Sequence, residues 1–273
     1  MKRTVLISGC GGALGLEIAE KYLKAGDRVI GTVRRDDDRA AVCNTLESPR
    51  NLSLYSLDLS LGRLATRQIA TIVSDSPNVD VLINNAATHY PATIEDADID
   101  RCRQLFEVNL WSPVLLAQAV LPRMRARKRG YIINIGSLSG LAGLPCDGIY
   151  GASKAAMRAV FESLRQEVAS FNVNVSMVVC GSFQSGLQGK MISTEISAGS
   201  VYEDLYQSWL ESMQGSESSE LSASDVAASV FRISECDTPD FFYPVGRVAK
   251  EVLAALEKMS DAERQAAIRR WSG

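Results

Sequence analysis

The sequence predicts an α/β protein built on one doubly wound parallel sheet with helices on both faces. Short β-branched runs alternate with helical patterns through most of the 273 residues, as in strands joined by helical crossovers. Right-handed crossovers then place helices on both sides of the sheet. A hydrophobic share of 46% and a charged share of 22% are ordinary for a globular protein. Because no composition break and no repeat divides the chain, we expect a single domain over 1–273.

The predicted elements follow one another in a regular order. Strands are expected at 3–8, 28–33, 52–57, 79–84, 130–136, 173–180 and 241–245. Helices are expected at 13–25, 37–47, 61–74, 101–127, 150–171, 201–213 and about 225–235. Residues 181–200 and the serine-rich stretch 212–224 are predicted as loops. A helical tail follows, in which Ser260 and Glu263 have the spacing of a capping box.

Charge, hydropathy and cysteine spacing exclude several classes of protein. A net charge of −3 argues against phosphate contacts with nucleic acid, and the basic run 123–129 is expected to be a solvated helix end. No apolar run approaches the roughly 20 residues of a membrane span, and the N-terminus leads directly into a strand, so we expect neither a membrane segment nor a signal peptide. The six cysteines form no CxxC pair and the sequence has one histidine, which argues against a metal site. A cytoplasmic protein with reduced thiols is expected.

A glycine-rich turn joins the first predicted strand to the first predicted helix. It reads Ser8-Gly9-Cys10-Gly11-Gly12-Ala13-Leu14-Gly15. Glycine lets the backbone approach a pyrophosphate closely, and the N–H groups that open the following helix face its charge. The position after the first strand favours a dinucleotide site over a tight turn without a ligand.

The end of the second predicted strand indicates which dinucleotide is bound. An acidic residue there binds the ribose 2′-hydroxyl of NAD, whereas an arginine suits the 2′-phosphate of NADP. Arg34 and Arg35 come first and Asp36 follows them. The sequence favours NADP, with NAD as the less favoured alternative.

Tyr150 and Lys154 lie one helical turn apart, so their side chains share one face of a predicted helix. A free tyrosine, with a pKa of about 10, is a poor acid or base at neutral pH, and a nearby ammonium lowers that pKa. Ser137 ends the preceding strand, at the sheet edge where open α/β folds bind ligands. We expect general acid–base chemistry from this group.

Together with Asn84-Asn85-Ala86-Ala87 after the fourth strand and Asn109 in the next helix, these motifs resemble the short-chain dehydrogenase/reductase family of the single-domain type, over about 1–250. Ile7–Cys10, Gly31–Arg34 and Tyr243–Gly246 are similar to its hydroxysteroid-dehydrogenase-like subgroup. The resemblance implies a Rossmann-like fold and hydride transfer between a nicotinamide cofactor and a ketone or secondary alcohol. It also implies a homodimer or homotetramer.

The resemblance assigns roles to individual residues. It implies that Tyr150 protonates the carbonyl oxygen and that Ser137 donates a hydrogen bond to the same oxygen. Lys154 is implied to lower the pKa of Tyr150 and to hold the ribose hydroxyls, and Asn109 to hold a water that feeds protons through Lys154. The expected cofactor-binding residues are Ser8, Gly9, Gly11, Gly12, Leu14, Gly15, Arg34, Asp58, Leu59, Asn85, Ala86, Ala87, Tyr150, Lys154, Gly181 and Ser185.

The chain departs from the family pattern at a few positions. Ala13 and Ala87 replace glycines, and Cys180 replaces a proline. The glycines within Gly9–Gly15 also spell the GxxGxxG of the longer, epimerase-like branch. An epimerase or dehydratase with retained NAD(H) is therefore one alternative, and a nucleotide-sensing binding protein is another. Chain length and the 13-residue interval between serine and tyrosine favour the shorter branch.

The substrate side is predicted from less specific signals. The expected substrate residues are Ser139, Leu144, Cys146, Tyr202, Tyr206 and Trp209. The three aromatic residues share one helical face, within a substrate loop at about 186–220. That face is interpreted either as a lid over an apolar or cyclic substrate or as core packing. His89 is expected to be a loop histidine at the rim of the site, because the tyrosine and lysine already supply the proton.

Overall fold

Seven parallel strands form one sheet within the residues that the structure describes, which are 2–46, 49–76, 78–181, 192, 200–215 and 221–271 of a computed structural model. The strand order is β3-β2-β1-β4-β5-β6-β7, and each neighbouring pair is parallel. The strands are β1 (Thr4–Ile7), β2 (Arg28–Val33), β3 (Leu52–Ser56), β4 (Val81–Asn84), β5 (Gly130–Ile135), β6 (Val173–Cys180) and β7 (Phe242–Val245). The predicted doubly wound α/β class is confirmed.

Helices connect successive strands and cover both faces of the sheet. In chain order they are α1 (Ala13–Lys24), α2 (Asp37–Thr45), α3 (Arg63–Asp75), α4 (Ile99–Phe106), α5 (Ser112–Arg127), α6 (Gly148–Val168), α7 (Glu203–Gly215), α8 (Ala223–Ile233), α9 (Arg247–Leu256) and α10 (Asp261–Trp271). Most bounds lie within two or three residues of the prediction.

The two faces of the sheet carry two separate apolar cores. Helices α1, α2 and α8 pack on one face, where they bury Leu14, Ile18, Tyr22, Val42, Val226 and Val230. Helices α3, α5 and α6 pack on the other, where they bury Ile69, Ile72, Leu116, Val120, Met157 and Phe161. Because both faces are covered, the central strands are apolar on both sides, as β1 and β4 are.

Helices α4 and α5 form one continuous helical run, Ile99–Arg127, through a π-helical turn at Glu107–Trp111. By length and composition this run is apolar enough to cross a membrane. In the fold, however, α5 packs against β4, β5 and α3, and its apolar side belongs to a core. The π-helical turn places Asn109 inside the protein, with no exposed surface.

The C-terminal part departs from the prediction in two places. The expected loop at 212–224 is partly helical, because α7 continues to Gly215 and α8 begins after a capping box between Ser222 and Asp225. The expected helical tail is two helices, and Ser260 with Glu263 forms the predicted capping box before α10. Most of the predicted loop at 181–200 lies outside the described residues.

The strand order reverses between β1 and β4, which are neighbours at the centre of the sheet. Their connections leave towards opposite faces, so a crevice opens beyond their carboxyl ends. The glycine-rich turn follows β1 and the Asn84–Ala87 segment follows β4. Both predicted cofactor segments therefore meet at this crevice.

Candidate active site

The turn after β1 requires glycine at two of its positions. Gly9 has a φ of +70°, and a Cβ there would lie 2.9 Å from the Cα of Ala86. A Cβ on Gly15 would lie 2.4 Å from the carbonyl oxygen of Gly9. Side chains are excluded because the turn packs directly against the residues that follow β4 and against the first turn of α1.

Ser8 and Asn85 hold this turn against the end of β4. The Ser8 hydroxyl accepts hydrogen bonds from the backbone N–H groups of Asn85 and Ala86, each at 3.0 Å. The Asn85 amide donates to the carbonyl oxygens of Ser8 and Gly9, at 2.9 and 3.1 Å. These two predicted cofactor residues therefore shape the cofactor site through the backbone that they fix.

A cleft of about 610 Å³ lies beside the turn. The predicted cofactor residues that line it are Gly9, Gly11, Arg34, Asp58, Leu59, Ala86 and Ala87. Leu14 is instead buried in the core, and Gly181 lines a different groove, next to β7. Ser185 lies outside the described residues.

The start of α1 fits the pyrophosphate of a dinucleotide. Gly12 occupies the N-cap position without a side-chain hydrogen bond, and the first turn of α1 has no acidic residue. The N–H groups of that turn have no partner within the helix, and the helix dipole favours negative charge there. An anion at this end meets hydrogen-bond donors and no competing carboxylate.

The cations after β2 differ in their pairing. Arg35 forms an ion pair with Asp38 at 3.4 Å, and Arg39 forms one with Asp36 at 3.3 Å. Arg34 lines the cleft and has no ion-pair partner among the described residues. Its guanidinium is thus available to an anionic ligand.

Tyr150, Lys154 and Ser137 come together at the carboxyl end of β5. Tyr150 and Lys154 lie on the first turns of α6, and both are buried. Ser137 lies close enough to Tyr150 for its hydroxyl to lower the pKa of the phenol. The Lys154 ammonium donates to the carbonyl oxygen of Ile135 at 3.0 Å and lies 5.7 Å from the centre of the Tyr150 ring.

Burial and a neighbouring carboxylate have the largest effects on the pKa of Tyr150. Burial raises its pKa well above the ordinary value, and the charge of Asp147 raises it further, while the Ser137 hydrogen bond opposes both. The Lys154 ammonium donates to the Ile135 carbonyl oxygen, and its expected lowering of the Tyr150 pKa stays a prediction. Burial lowers the pKa of Lys154 to about 8. At neutral pH Tyr150 is a protonated phenol, which is the form that an acid needs.

Asn109 connects the helix to the loop after β4. Its amide nitrogen donates to the Thr88 carbonyl oxygen at 2.9 Å and to the Ser153 hydroxyl at 3.1 Å. Its amide oxygen accepts from the Thr88 N–H at 2.9 Å. Both amide hydrogens are thus used within the protein, so the side chain positions this loop and has no hydrogen left to donate to a water.

Comparisons with known proteins agree with this arrangement. A family model described as short chain dehydrogenase matches residues 3–196. This chain belongs to the short-chain dehydrogenase family. It is 32% identical to retinol dehydrogenase 8 of Homo sapiens over 198 residues, which are 70% of this chain and 62%, less than two thirds, of that relative.

Solved structures of the family have the same fold. The crystal structure of a short-chain dehydrogenase from Streptomyces avermitilis has a TM-score of 0.83 at 27% identity, over 99% of this chain and 96% of that one. A metagenomic short-chain oxidoreductase in complex with NADP has a TM-score of 0.68 at 25% identity, over 89% and 95% of the two chains. These structures agree with the family assignment of this short-chain dehydrogenase.

His89 lies inside the site of this short-chain dehydrogenase, so the expectation of a rim position is wrong. Its imidazole Nε2 lies 2.5 Å from an oxygen of Asp147, and both side chains are almost fully buried. The ring is 4.5 Å from the Tyr150 ring and 5.4 Å from the Trp209 ring, between centroids. Sequence reasoning missed Asp147, although it precedes Tyr150 by three residues and thus lies one helical turn away from it.

The predicted substrate residues fall into two groups. Ser139 contacts Ser137, and Leu144 and Cys146 belong to the loop that carries Asp147. The three aromatic residues lie on or just before α7. Trp209 is buried against His89 and Tyr206 stacks on it at 5.8 Å, whereas the Tyr202 hydroxyl bonds to Glu95 at 2.7 Å. Trp209 is thus the aromatic residue of this face that reaches the catalytic group.

Proposed function

We propose that this short-chain dehydrogenase is an NADPH-dependent ketoreductase that acts on an apolar or cyclic ketone. The observation that carries the proposal is the burial of Tyr150 and Lys154 on the first turns of α6, beside Ser137 at the carboxyl end of β5. A phenol that is protonated at neutral pH can give its proton to the carbonyl oxygen as that oxygen gains charge.

Each catalytic residue has one role in this scheme. A bound NADPH supplies the hydride that adds to the carbonyl carbon. Tyr150 protonates the carbonyl oxygen and Ser137 donates a hydrogen bond to that oxygen, so both stabilise the charge that develops there. Lys154, charged below its pKa of about 8, holds the ribose hydroxyls, and its positive charge stabilises the phenolate that remains when Tyr150 has given up its proton.

NADP is proposed over NAD because of Arg34. An arginine binds a phosphate through two parallel hydrogen bonds, and this one has no competing carboxylate within ion-pair distance among the described residues. The NADP complex of the metagenomic relative at 25% identity supports this choice. An apolar or cyclic substrate is proposed because Trp209, on which Tyr206 stacks, packs against His89, and His89 in turn packs against Tyr150.

The remaining proposals concern the setting of the enzyme. We propose that it works as a homodimer or homotetramer in the cytoplasm, within the hydroxysteroid-dehydrogenase-like subgroup. No nucleic acid and no membrane is part of the proposal. The net charge of −3 supports the first of these two statements.

A cofactor-oxidation assay tests the function directly. The protein is incubated with NADPH or NADH and a panel of alicyclic, aromatic and short polar ketones, and absorbance loss of the reduced cofactor is followed. We expect turnover with alicyclic ketones and a lower KM for NADPH than for NADH. Stoichiometric release of oxidised cofactor excludes an epimerase that retains NAD(H). Tight NADPH binding without oxidation by any ketone would instead support a nucleotide-sensing protein.

A further inference from the structure

We propose that His89, held by Asp147, binds a hydroxyl group of the substrate next to the reacting carbonyl, so that the natural substrate is a hydroxylated ketone. This inference rests on the proposed function, since it places a second recognition point beside Tyr150. It is based on the contact between Nε2 and Asp147 and on Nδ1, which is buried without a hydrogen-bond partner among the described residues.

The tautomer of His89 follows from its partner. An ionised carboxylate can only accept, so the Nε2 that lies 2.5 Å from the Asp147 oxygen carries the hydrogen. Nδ1 has no hydrogen-bond partner among the described residues, and it is buried. We assign Nδ1 as the acceptor, because a second N–H buried there without an acceptor would be costly. His89 is therefore a fixed hydrogen-bond acceptor.

A buried polar atom without a partner calls for a physical explanation, since leaving it unsatisfied costs about 1–3 kcal/mol. A tightly packed structural histidine in a core satisfies both nitrogens. In His89 one nitrogen is satisfied, by an oxygen of Asp147, and Nδ1 has no partner among the described residues. A ligand that donates to Nδ1 removes the cost, and the free energy recovered contributes to binding.

The location of the ring fits a substrate group. The imidazole packs on the Tyr150 ring on one side, with the Trp209 ring of α7 on another. A ketone whose oxygen meets the Tyr150 hydroxyl therefore carries its neighbouring carbons close to His89. A hydroxyl on one of those carbons is a donor of suitable size, whereas a second carbonyl or an ether offers only acceptors.

The reaction leaves this hydroxyl unchanged. Hydride from NADPH forms the new C–H bond at the carbonyl carbon, and the Tyr150 proton forms the new O–H bond on the carbonyl oxygen. NADPH is oxidised to NADP⁺ and the hydroxyketone is reduced to a diol. Solvent returns one proton to Tyr150, so the step balances without another reactant.

Matched substrates isolate the contribution of the hydroxyl. Reduction is measured for 2-, 3- and 4-hydroxycyclohexanone, each against the methylcyclohexanone of the same substitution, which has similar size. For at least one pair we expect kcat/KM for the hydroxycyclohexanone to be about tenfold higher than for the methylcyclohexanone, which is the ratio that one hydrogen bond supports. His89→Phe keeps an aromatic ring but loses Nδ1, and should bring that ratio close to one.

His89→Asn provides a rescue, because its Oδ1 is bonded to Cγ, as Nδ1 is in histidine, and this oxygen can again accept a hydrogen bond. We expect it to recover part of the hydroxyl preference that His89→Phe loses. A wild type that treats the members of every pair alike, or a His89→Phe variant with the wild-type ratio, contradicts the inference.

A measurement without turnover separates this inference from the proposed function. His89 is the single histidine of the sequence, so the ¹⁵N imidazole resonances of histidine-labelled protein report on it alone. In the NADP complex, Nδ1 should be unprotonated, and its resonance should shift with a cyclohexanediol but not with the matched methylcyclohexanol. A protonated Nδ1, or equal shifts with both alcohols, overturns the inference. Absence of ketone reduction with a diol-specific shift would overturn the proposed function alone.

Discussion

The two sides of the active site are built in different ways. On the cofactor side, the turn Gly9–Gly15 and the segment Asn84–Ala87 present backbone and small residues, and each lies at the end of one central strand. On the proposed substrate side, side chains from three separate segments pack against one another, namely those of His89, Asp147 and Trp209.

This difference shows which parts of the site have little freedom to vary. A Cβ on Gly15 would collide with the backbone of the turn, so almost any substitution there disturbs the cofactor side. The ring stack around His89 depends on side-chain shape and on one hydrogen bond, so it can be altered without moving the sheet. We therefore expect substrate choice to be adjustable while the cofactor geometry is conserved by steric necessity.

Replacement of Tyr150 should have the largest effect, because both sides of the site meet at its hydroxyl. Tyr150→Phe keeps the ring and its stacking on His89 but removes the proton donor. We expect NADPH to bind as in the wild type and turnover to fall by about 10²-fold or more, the usual scale of general acid catalysis. Cofactor fluorescence titration and steady-state rates measure the two quantities.

A Ser139→Ala variant serves as the control for Tyr150→Phe, since Ser139 contacts Ser137 and not the Tyr150 hydroxyl. It should retain far more turnover than the phenylalanine variant. Turnover of Tyr150→Phe within about threefold of the wild type would contradict the assignment of Tyr150 as the acid.

The sequence predicts the cofactor side well, because its chemistry is local. The glycine turn, the residues after β4 and the pair of Tyr150 and Lys154 are each recognisable from spacing within a few residues. The structure brings these segments together at the crevice. Two other expected cofactor residues lie elsewhere: the Leu14 side chain is buried in the core, and Gly181 lines a different groove. Most strand and helix bounds follow from apolar periodicity for the same reason.

The substrate side could not be predicted in the same way. His89 and Asp147 are 58 residues apart, and only the parallel arrangement of β4 and β5 brings the loops that follow these strands together. The pKa of Tyr150 depends on burial and on that carboxylate, neither of which shows in a tyrosine–lysine spacing. Long-range contacts of this kind leave no periodic signal in the sequence.

Arg34→Ala acts on the cofactor side alone. Loss of a guanidinium that binds a phosphate should raise the KM for NADPH by about 10- to 100-fold, the range of a hydrogen bond to a charged group, and leave that for NADH nearly unchanged. The matched variant is Arg35→Ala, whose side chain is already paired with Asp38 and should matter much less. Equal changes for both cofactors would remove the basis for choosing NADP.

Lys154 lies between the two sides and should give the enzyme its alkaline limit. Burial lowers its pKa to about 8, so the charged form is present below that pH and is lost as pH rises through it. Tyr150, whose pKa is raised, stays protonated over the same range. We expect kcat/KM for NADPH to fall about tenfold for each pH unit above about 8, since this parameter reports groups of the free enzyme.

A lysine-to-arginine exchange tests the assignment of this limit. Lys154→Arg keeps a positive charge throughout the range, so whatever activity it retains should lack the descent above about pH 8. A wild-type profile that stays flat to pH 10, or an identical descent in both proteins, would assign the limit to a different group.

Trp209→Ala should have the smallest effect and acts on the substrate side alone. The ring packs on His89, which in turn packs on Tyr150, so its removal opens the site without touching the cofactor cleft. One aromatic contact is worth about 0.5–1.5 kcal/mol, so we expect the KM for an alicyclic ketone to rise about threefold to tenfold and that for NADPH to stay within about twofold. Trp209→Phe keeps an aromatic ring, so its KM for the alicyclic ketone should lie between those of the wild type and of Trp209→Ala.

If α7 closes over substrate, amide exchange along Glu203–Gly215 slows only when NADP and a substrate analogue are both bound. Equal protection in the free and ternary states, with Trp209→Ala lowering Tm and neither KM, would identify this face as ordinary core packing instead.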